Sequence, residues 1–168
     1  MRKTKEAFHW IVKILKKHNV PFHISGGFAA RIYGAQRPLN DIDIDIPDKK
    51  INEILPEIKR YIIGDGHYKT KVFDSPADVT LKYLGQVIDI TGANSEKIYN
   101  SKTKKWTHEF RDFEKFEERK VFGIFVPVLP KKDLLKYKME LLEGGEFREH
   151  QVRDVEALLS LKYQEENF

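Results

Sequence analysis

The sequence predicts an α+β fold: a mixed β-sheet flanked by helices, ending in a helical C-terminal tail. Three observations carry this. A helical apolar stripe opens the chain, a strict two-residue alternation fills Asp41–Ile46, and helical spacing returns after Pro130. Strand and helix periodicities that occupy separate stretches of one chain describe an α+β domain better than a repeating βαβ one.

The elements follow in order. From Lys3 to His18, Phe8, Ile11, Val12 and Leu15 keep the i, i+3, i+4, i+7 spacing of a helix with one buried face. Asn19 can close that helix and Pro21 stops it. Phe22-His23-Ile24 is a short strand, Ser25-Gly26-Gly27 a turn, and Phe28–Tyr33 a second helix. Asp41-Ile-Asp-Ile-Asp-Ile46 places every isoleucine on one strand face and every aspartate on the other. Pro47-Asp48 ends this strand, and Asp48 can cap a helix running to about Tyr61. Three strands follow, Tyr68–Phe73, Val79–Tyr83 and Gln86–Ile90, with turns at Asp74-Ser75-Pro76 and Leu84-Gly85. Ser95–Lys120 is charged and gives no clear period. Val121–Leu129 reads as a strand or hairpin arm around Gly123. Pro130 opens a helix to Leu142, Gly144-Gly145 ends it, and a last helix spans about Arg148–Tyr163. The expected organisation is one domain, with a core at 1–129 and helices at 130–168 packed upon it.

Length and composition narrow the function. The chain has 168 residues, 40% apolar and 33% charged, enough for one buried core. It contains no cysteine, which excludes disulfides, thiolate zinc sites and cysteine nucleophiles. No apolar run approaches the roughly 20 residues of a membrane span, and the N-terminus reads as an amphipathic helix rather than a secretory signal. A cytoplasmic location is the expectation. The net charge of +4 is mild. It suits either a lysine-rich solvated surface or an affinity for nucleotides or RNA.

The chemistry gathers around Asp41-Ile-Asp43-Ile-Asp45. Three acids on one strand face, about 6.5–7 Å apart by strand rise, repel one another unless something pairs them. Lysines can do this, and so can a divalent cation. Oxygen-only ligands favour Mg²⁺ or Mn²⁺. Asp89, in Val87-Ile88-Asp89-Ile90, has the same setting on a second strand and can complete such a site. Ser25-Gly26-Gly27 lies between strand and helix, where absent Cβ atoms let backbone N–H groups approach a phosphate. A plain turn accounts for it equally. Arg37, four residues before Asp41, can bind phosphate or pair with the acids. The six histidines show no metal-ligand spacing; His23 either faces the site or packs. Trp106, Phe110, Phe113 and Phe116 either stack an acceptor or serve as core or subunit contact.

The run SGGFAARIYGAQRPLNDIDIDI, with the later Val-Ile-Asp89-Ile, resembles the polymerase-β-like nucleotidyltransferases. It is similar to the small lincosamide and aminoglycoside types, to the minimal enzymes of toxin–antitoxin pairs, and to the head domain of tRNA CCA-adding enzymes. The resemblance implies a nucleotidyltransferase core and two metal ions held by Asp41, Asp43 and Asp89. It makes Asp89 also the base toward an acceptor hydroxyl. Asp45 shares the face, so Asp43 with Asp45 is an alternative pair. The resemblance also assigns Ser25, Gly26, Gly27 and Arg37 to nucleotide binding. The stretch around Pro130–Met139 looks like the family's first helix after the core, whose lysine, here Lys138, faces the nucleotide; taken alone, Lys138 reads as a surface residue. His150-Gln-Val-Arg-Asp154-Val resembles a Lys-Asp-x-x-Asp-Ile signature but replaces its first pair.

The implied reaction transfers a nucleoside monophosphate from a nucleoside triphosphate, ATP first, to an acceptor hydroxyl and releases pyrophosphate. The acceptor is a small molecule on one reading and a protein or RNA on the toxin reading. A catalytically inactive nucleotide-binding module is the non-enzymatic alternative. A homodimer is expected only by analogy, and no membrane partner is expected.

Overall fold

A computed structural model describes residues 2–145 and 148–165. In chain order the helices are α1 (Thr4–Lys17), α2 (Gly26–Ile32), α3 (Ile51–Ile58), α4 (Lys131–Glu143) and α5 (Glu149–Glu165). The strands are β1 (His23–Ile24), β2 (Asp41–Ile46), β3 (Ile62–Lys69), β4 (Phe73–Tyr83) and β5 (Gln86–Gly92), then β6 (Lys97–Asn100), β7 (Lys105–His108), β8 (Glu117–Val121) and β9 (Ile124–Val128). Among the described residues all nine strands form one sheet, ordered β7-β6-β4-β5-β2-β1-β9-β8, with β3 also on β4. The β2–β5 and β1–β9 pairs are parallel and the others antiparallel, so the sheet is mixed and the fold is α+β.

The alternating run folds as its period demands. Ile42, Ile44 and Ile46 are fully buried, as are Ile88 and Ile90 beside them on β5. Against these pack α1, through Phe8, Ile11, Val12 and Leu15, and α3, through Ile54 and Ile58. Asn19 closes α1 as expected. It adopts a left-handed φ of 51°, and the Val20 N–H donates back to Leu15 O at 2.9 Å. Phe122-Gly123 forms the tight turn of the β8–β9 hairpin with positive φ at both residues. The tail joins the same core through Leu134 of α4 and Leu158 of α5. Residues 146–147 and 166–168 of the expected tail lie outside the described residues.

Three local expectations change. The strand expected at Tyr68–Phe73 is split: β3 ends at Lys69 and β4 begins at Phe73. Thr70 makes the turn, because its hydroxyl accepts from the N–H groups of Val72 and Phe73 at 3.2 and 3.0 Å. The turn expected at Asp74-Ser75-Pro76 is therefore strand. Pro76 is tolerated there because it sits in the irregularity between Ser75 and Asp78, where no ladder donor is needed. Asp48 does not cap the following helix. Its carboxylate instead accepts from the Asn94 N–H at 2.9 Å, and Asn94 returns a bond to the Asp48 N–H. Ser95–Lys120, unreadable in sequence, supplies β6, β7 and the start of β8. No helix among the described residues is long and apolar enough to cross a membrane.

The isoleucine face holds the sheet to its helices, so Ile88→Ala should lower the unfolding free energy by about 2–5 kcal/mol in urea titrations. A loss below about 1 kcal/mol would mean that this face does not carry the core.

Candidate active site

Register brings the acids together. The parallel β2–β5 pairing sets Asp41 beside Val87, Asp43 beside Asp89 and Asp45 beside Thr91. The three residues Asp41, Asp43 and Asp89 each offer an oxygen within 4.8 Å of the others. Asp89 also accepts the Thr80 hydroxyl from β4 at 2.7 Å. Among the described residues no ion pair neutralises the three. Burial and the charge of Asp41 push the Asp43 carboxyl up to about 7, against the Phe28 N–H, which donates to it at 3.1 Å. Asp89 is raised as well, by burial and by Asp41. An all-oxygen donor set whose charges are close and uncompensated suits a hard divalent cation.

The two glycines have different neighbours. Gly26 starts α2 with φ 55°, and a Cβ there would lie 2.6 Å from the Asp43 carboxylate. Gly27 has the Arg37 guanidinium against it, and a Cβ would lie 2.7 Å from Arg37 Nη1. The turn thus lets one acid and one cation approach the backbone. The Ser25 hydroxyl is not left for a ligand, because it donates to Asp45 Oδ1 at 2.7 Å.

Asp45 lies outside the cluster of three. Its other oxygen accepts from Arg111 Nε at 3.0 Å, and both side chains are buried. Arg111 also faces Glu96 at 3.6 Å and Glu109 at 3.3 Å. The surplus acid of the strand face is therefore the counter-ion of a buried arginine. Nothing in the local sequence marks Arg111 as buried, since Asp45 comes from β2 and Glu96 from the loop before β6. Burial raises Glu96 to about 8, Glu109 to about 7 and Asp78 to about 6.

Lys138 is 2% exposed, although it read as surface when taken alone. It occupies the buried stripe of α4 between Leu134 and Leu141, a spacing that could have revealed it. Its Nζ pairs with Asp154 Oδ2 at 2.8 Å and donates to Gln151 Oε1 at 2.8 Å. Arg37 Nη1 donates to the same Asp154 oxygen at 2.7 Å. Asp154 and Gln151, both on the departing signature, were not on the sequence-based list.

The three aspartates, the glycine turn, Arg37, Arg111, Lys138 and Gln151 face one cleft of about 410 Å³, within the range of small-ligand sites. Gly26, Gly27, Arg37, Lys138, His150 and Gln151 line it, as do Tyr68 of β3 and Phe73, Asp78 and Thr80 of β4. None of Trp106, Phe110, Phe113 and Phe116 lines it. Phe113 stacks instead on His23, which is buried outside the cleft, and Phe110 is 82% exposed.

Gly26→Ala should displace Asp43 and weaken the Mg²⁺- or Mn²⁺-induced rise in Tm while costing about 1–3 kcal/mol of stability. An unchanged ion response would separate Asp43 from cation binding. The buried acids also give a pH dependence. A carboxyl raised on folding is protonated in both states at low pH. As pH climbs past its unfolded value the unfolded chain ionises first, so stability falls until the folded group ionises too. For Glu96 that window runs from the ordinary glutamate range to about 8. The metal-free protein should therefore lose stability between pH 5 and 8, at up to about 1.4 kcal/mol per pH unit per proton. Glu96→Gln should flatten the slope in urea titrations across that range, and an unaltered slope would count against a raised Glu96.

No family model matches the chain, and no curated protein does. Solved structures do match. A candidate nucleotidyltransferase from Thermotoga maritima aligns with a TM-score of 0.64 at 21% identity, over 87% of this chain and 91% of that one. Lincomycin-bound lincosamide antibiotic adenylyltransferase LnuA aligns at 0.59 and 18%, over 96% and 98%. ANT(2'')-Ia in complex with adenylyl-2''-tobramycin aligns at 0.59 and 14%, over 94% and 88%. At these identities the likeness is one of fold, and this chain has the fold of the nucleotidyltransferases.

Proposed function

We propose that the protein is a divalent-cation-dependent nucleotidyltransferase that moves a nucleoside monophosphate from a nucleoside triphosphate, ATP first, to a hydroxyl of a small-molecule acceptor. The observation that carries this is the convergence of Asp41, Asp43 and Asp89 beside the Gly26-Gly27 turn, with Arg37 and Lys138 facing the same cleft.

The sheet order divides the labour. The acids sit centrally on β2 and β5. The glycine turn follows β1, and Arg37 and Lys138 share Asp154 next to it, which suits the triphosphate. The β4 side is left for the acceptor, and there Thr80 holds Asp89. The acceptor oxygen attacks the α-phosphorus in line. One O–P bond forms as the bond to the bridging oxygen breaks, and pyrophosphate leaves. Asp89, whose carboxyl pKa burial raises, takes the acceptor proton. Arg37 and Lys138 meet the charge that collects on the departing phosphates. Mg²⁺ or Mn²⁺, two ions by the resemblance, would be held by Asp41, Asp43 and Asp89 and would supply charge neutralisation and an activated hydroxyl.

Asp78 and Glu96 also line this cleft and favour a cationic acceptor. An amine would add a counter-charge beside Asp78 and beside Glu96, which already shares Arg111 with Asp45 and Glu109, whereas an RNA would be repelled. This supports the small-molecule reading over the toxin one, and the ordered acid cluster supports an enzyme over an inactive module. A cytoplasmic location, where nucleoside triphosphates are abundant, fits the reading. So does a single unit with its core at 1–129 and its helices at 130–168. A homodimer stays an analogy.

The test is incubation with Mg²⁺, each of ATP, CTP, GTP and UTP, and pools of amine-bearing and neutral hydroxyl compounds, read by mass spectrometry. An acceptor should gain one nucleoside monophosphate, and Asp89→Asn should lower that rate by about 10²–10⁴-fold without loss of fold. No transfer from any of the four would overturn the proposal, and full activity in Asp89→Asn would remove Asp89 from the chemistry.

A further inference from the structure

We infer that Asp154, with Gln151, is the positioning element of the triphosphate site: from α5 it fixes Arg37 and Lys138 so that their remaining N–H groups face the cleft. This rests on the reading of the cleft as a nucleotide site.

Donor counting carries it. An ammonium has three N–H groups. Among the described residues Lys138 donates one to Gln151 Oε1, and its Nζ is held in an ion pair with Asp154 Oδ2, both at 2.8 Å. These two contacts do not use all three N–H groups of a side chain that lines the cleft. A guanidinium has five N–H groups. Arg37 gives Nη1 to the same Asp154 oxygen, and its plane lies against Gly27, which leaves other N–H groups at the cleft wall. One carboxylate oxygen therefore holds two cations that arrive from different segments, the loop before β2 and helix α4. Asp154 is 1% exposed and is itself kept from solvent. Arg37, Lys138 and Asp154 together sum to one positive charge on the Gly27 side of the turn, which matches a polyphosphate and not a neutral ligand. The element acts through Arg37 and Lys138 and does not touch the reacting atoms.

The experiment uses the full chain and calorimetric titration with ATP in the presence of Mg²⁺. Asp154→Asn should weaken ATP binding at least about tenfold, and Gln151→Met by about threefold, because pairing of a charged group is lost in the first and one neutral acceptor in the second. In a Lys138→Met background Asp154→Asn should add much less than it does alone, since the two act through one contact. In turnover the KM for the nucleotide should rise while the KM for the acceptor stays put; a purely structural role would move both. If the wild type binds ATP and Asp154→Asn binds it equally well, this inference falls and the nucleotide reading stands. If the wild type binds none of ATP, CTP, GTP and UTP, the nucleotide reading falls and takes this with it. Should Asp154→Asn not fold, Gln151→Met decides: wild-type affinity there overturns the inference.

Discussion

The parallel pairing of β2 with β5 is the constraint on which the rest depends. It sets Asp43 level with Asp89 and leaves the isoleucines of both strands on the opposite face. Those isoleucines anchor the strands to α1 and α3, so the acids cannot slide apart without exposing the core. A one-residue slip would turn every aspartate inward. The repulsion among the carboxylates is thus held in place by hydrophobic burial on the other side of the same two strands. The cost appears in the raised Asp43 and Asp89 carboxyls.

The surrounding groups follow from that arrangement. The Gly26 conformation lets the Phe28 N–H reach Asp43. Gly27 lets Arg37 lie flat against the turn. Asp45, one step farther along β2, cannot join the cluster and is paired by Arg111, which draws the stretch after β7 under the cleft. Glu96 and Glu109 crowd the same arginine. The charged stretch that gave no period is therefore organised by a buried ion pair, not by an apolar stripe.

What could be read in the sequence was local. The alternation of Asp41–Ile46, the stripe of α1, the Gly-Gly turn and the placement of Asp89 on its own strand follow from periods of two or 3.6 residues. What escaped depends on distant partners. Arg111 is an ordinary surface residue until Asp45, on β2, stands beside it. Thr70, not Asp74-Ser75-Pro76, makes the turn, because a threonine hydroxyl can satisfy two N–H groups while a strand bulge can house a proline. Gln151 looked like a departure from a signature whose aspartate Asp154 keeps, yet the two take both direct contacts to Lys138.

The sharing of one Asp154 oxygen by Arg37 and Lys138 also bears on how the chain can be divided. A boundary drawn near residue 129 separates periodicities, but it does not separate chemistry. A fragment ending there would keep the aspartates and both glycines and would lose the anion that sits against Arg37. A fragment ending after α4 would leave a lysine on a helix face shaped for burial, with no charge to meet it. The C-terminal helix thus lines the cleft through His150 and Gln151, and the residues that build the cleft extend into α5.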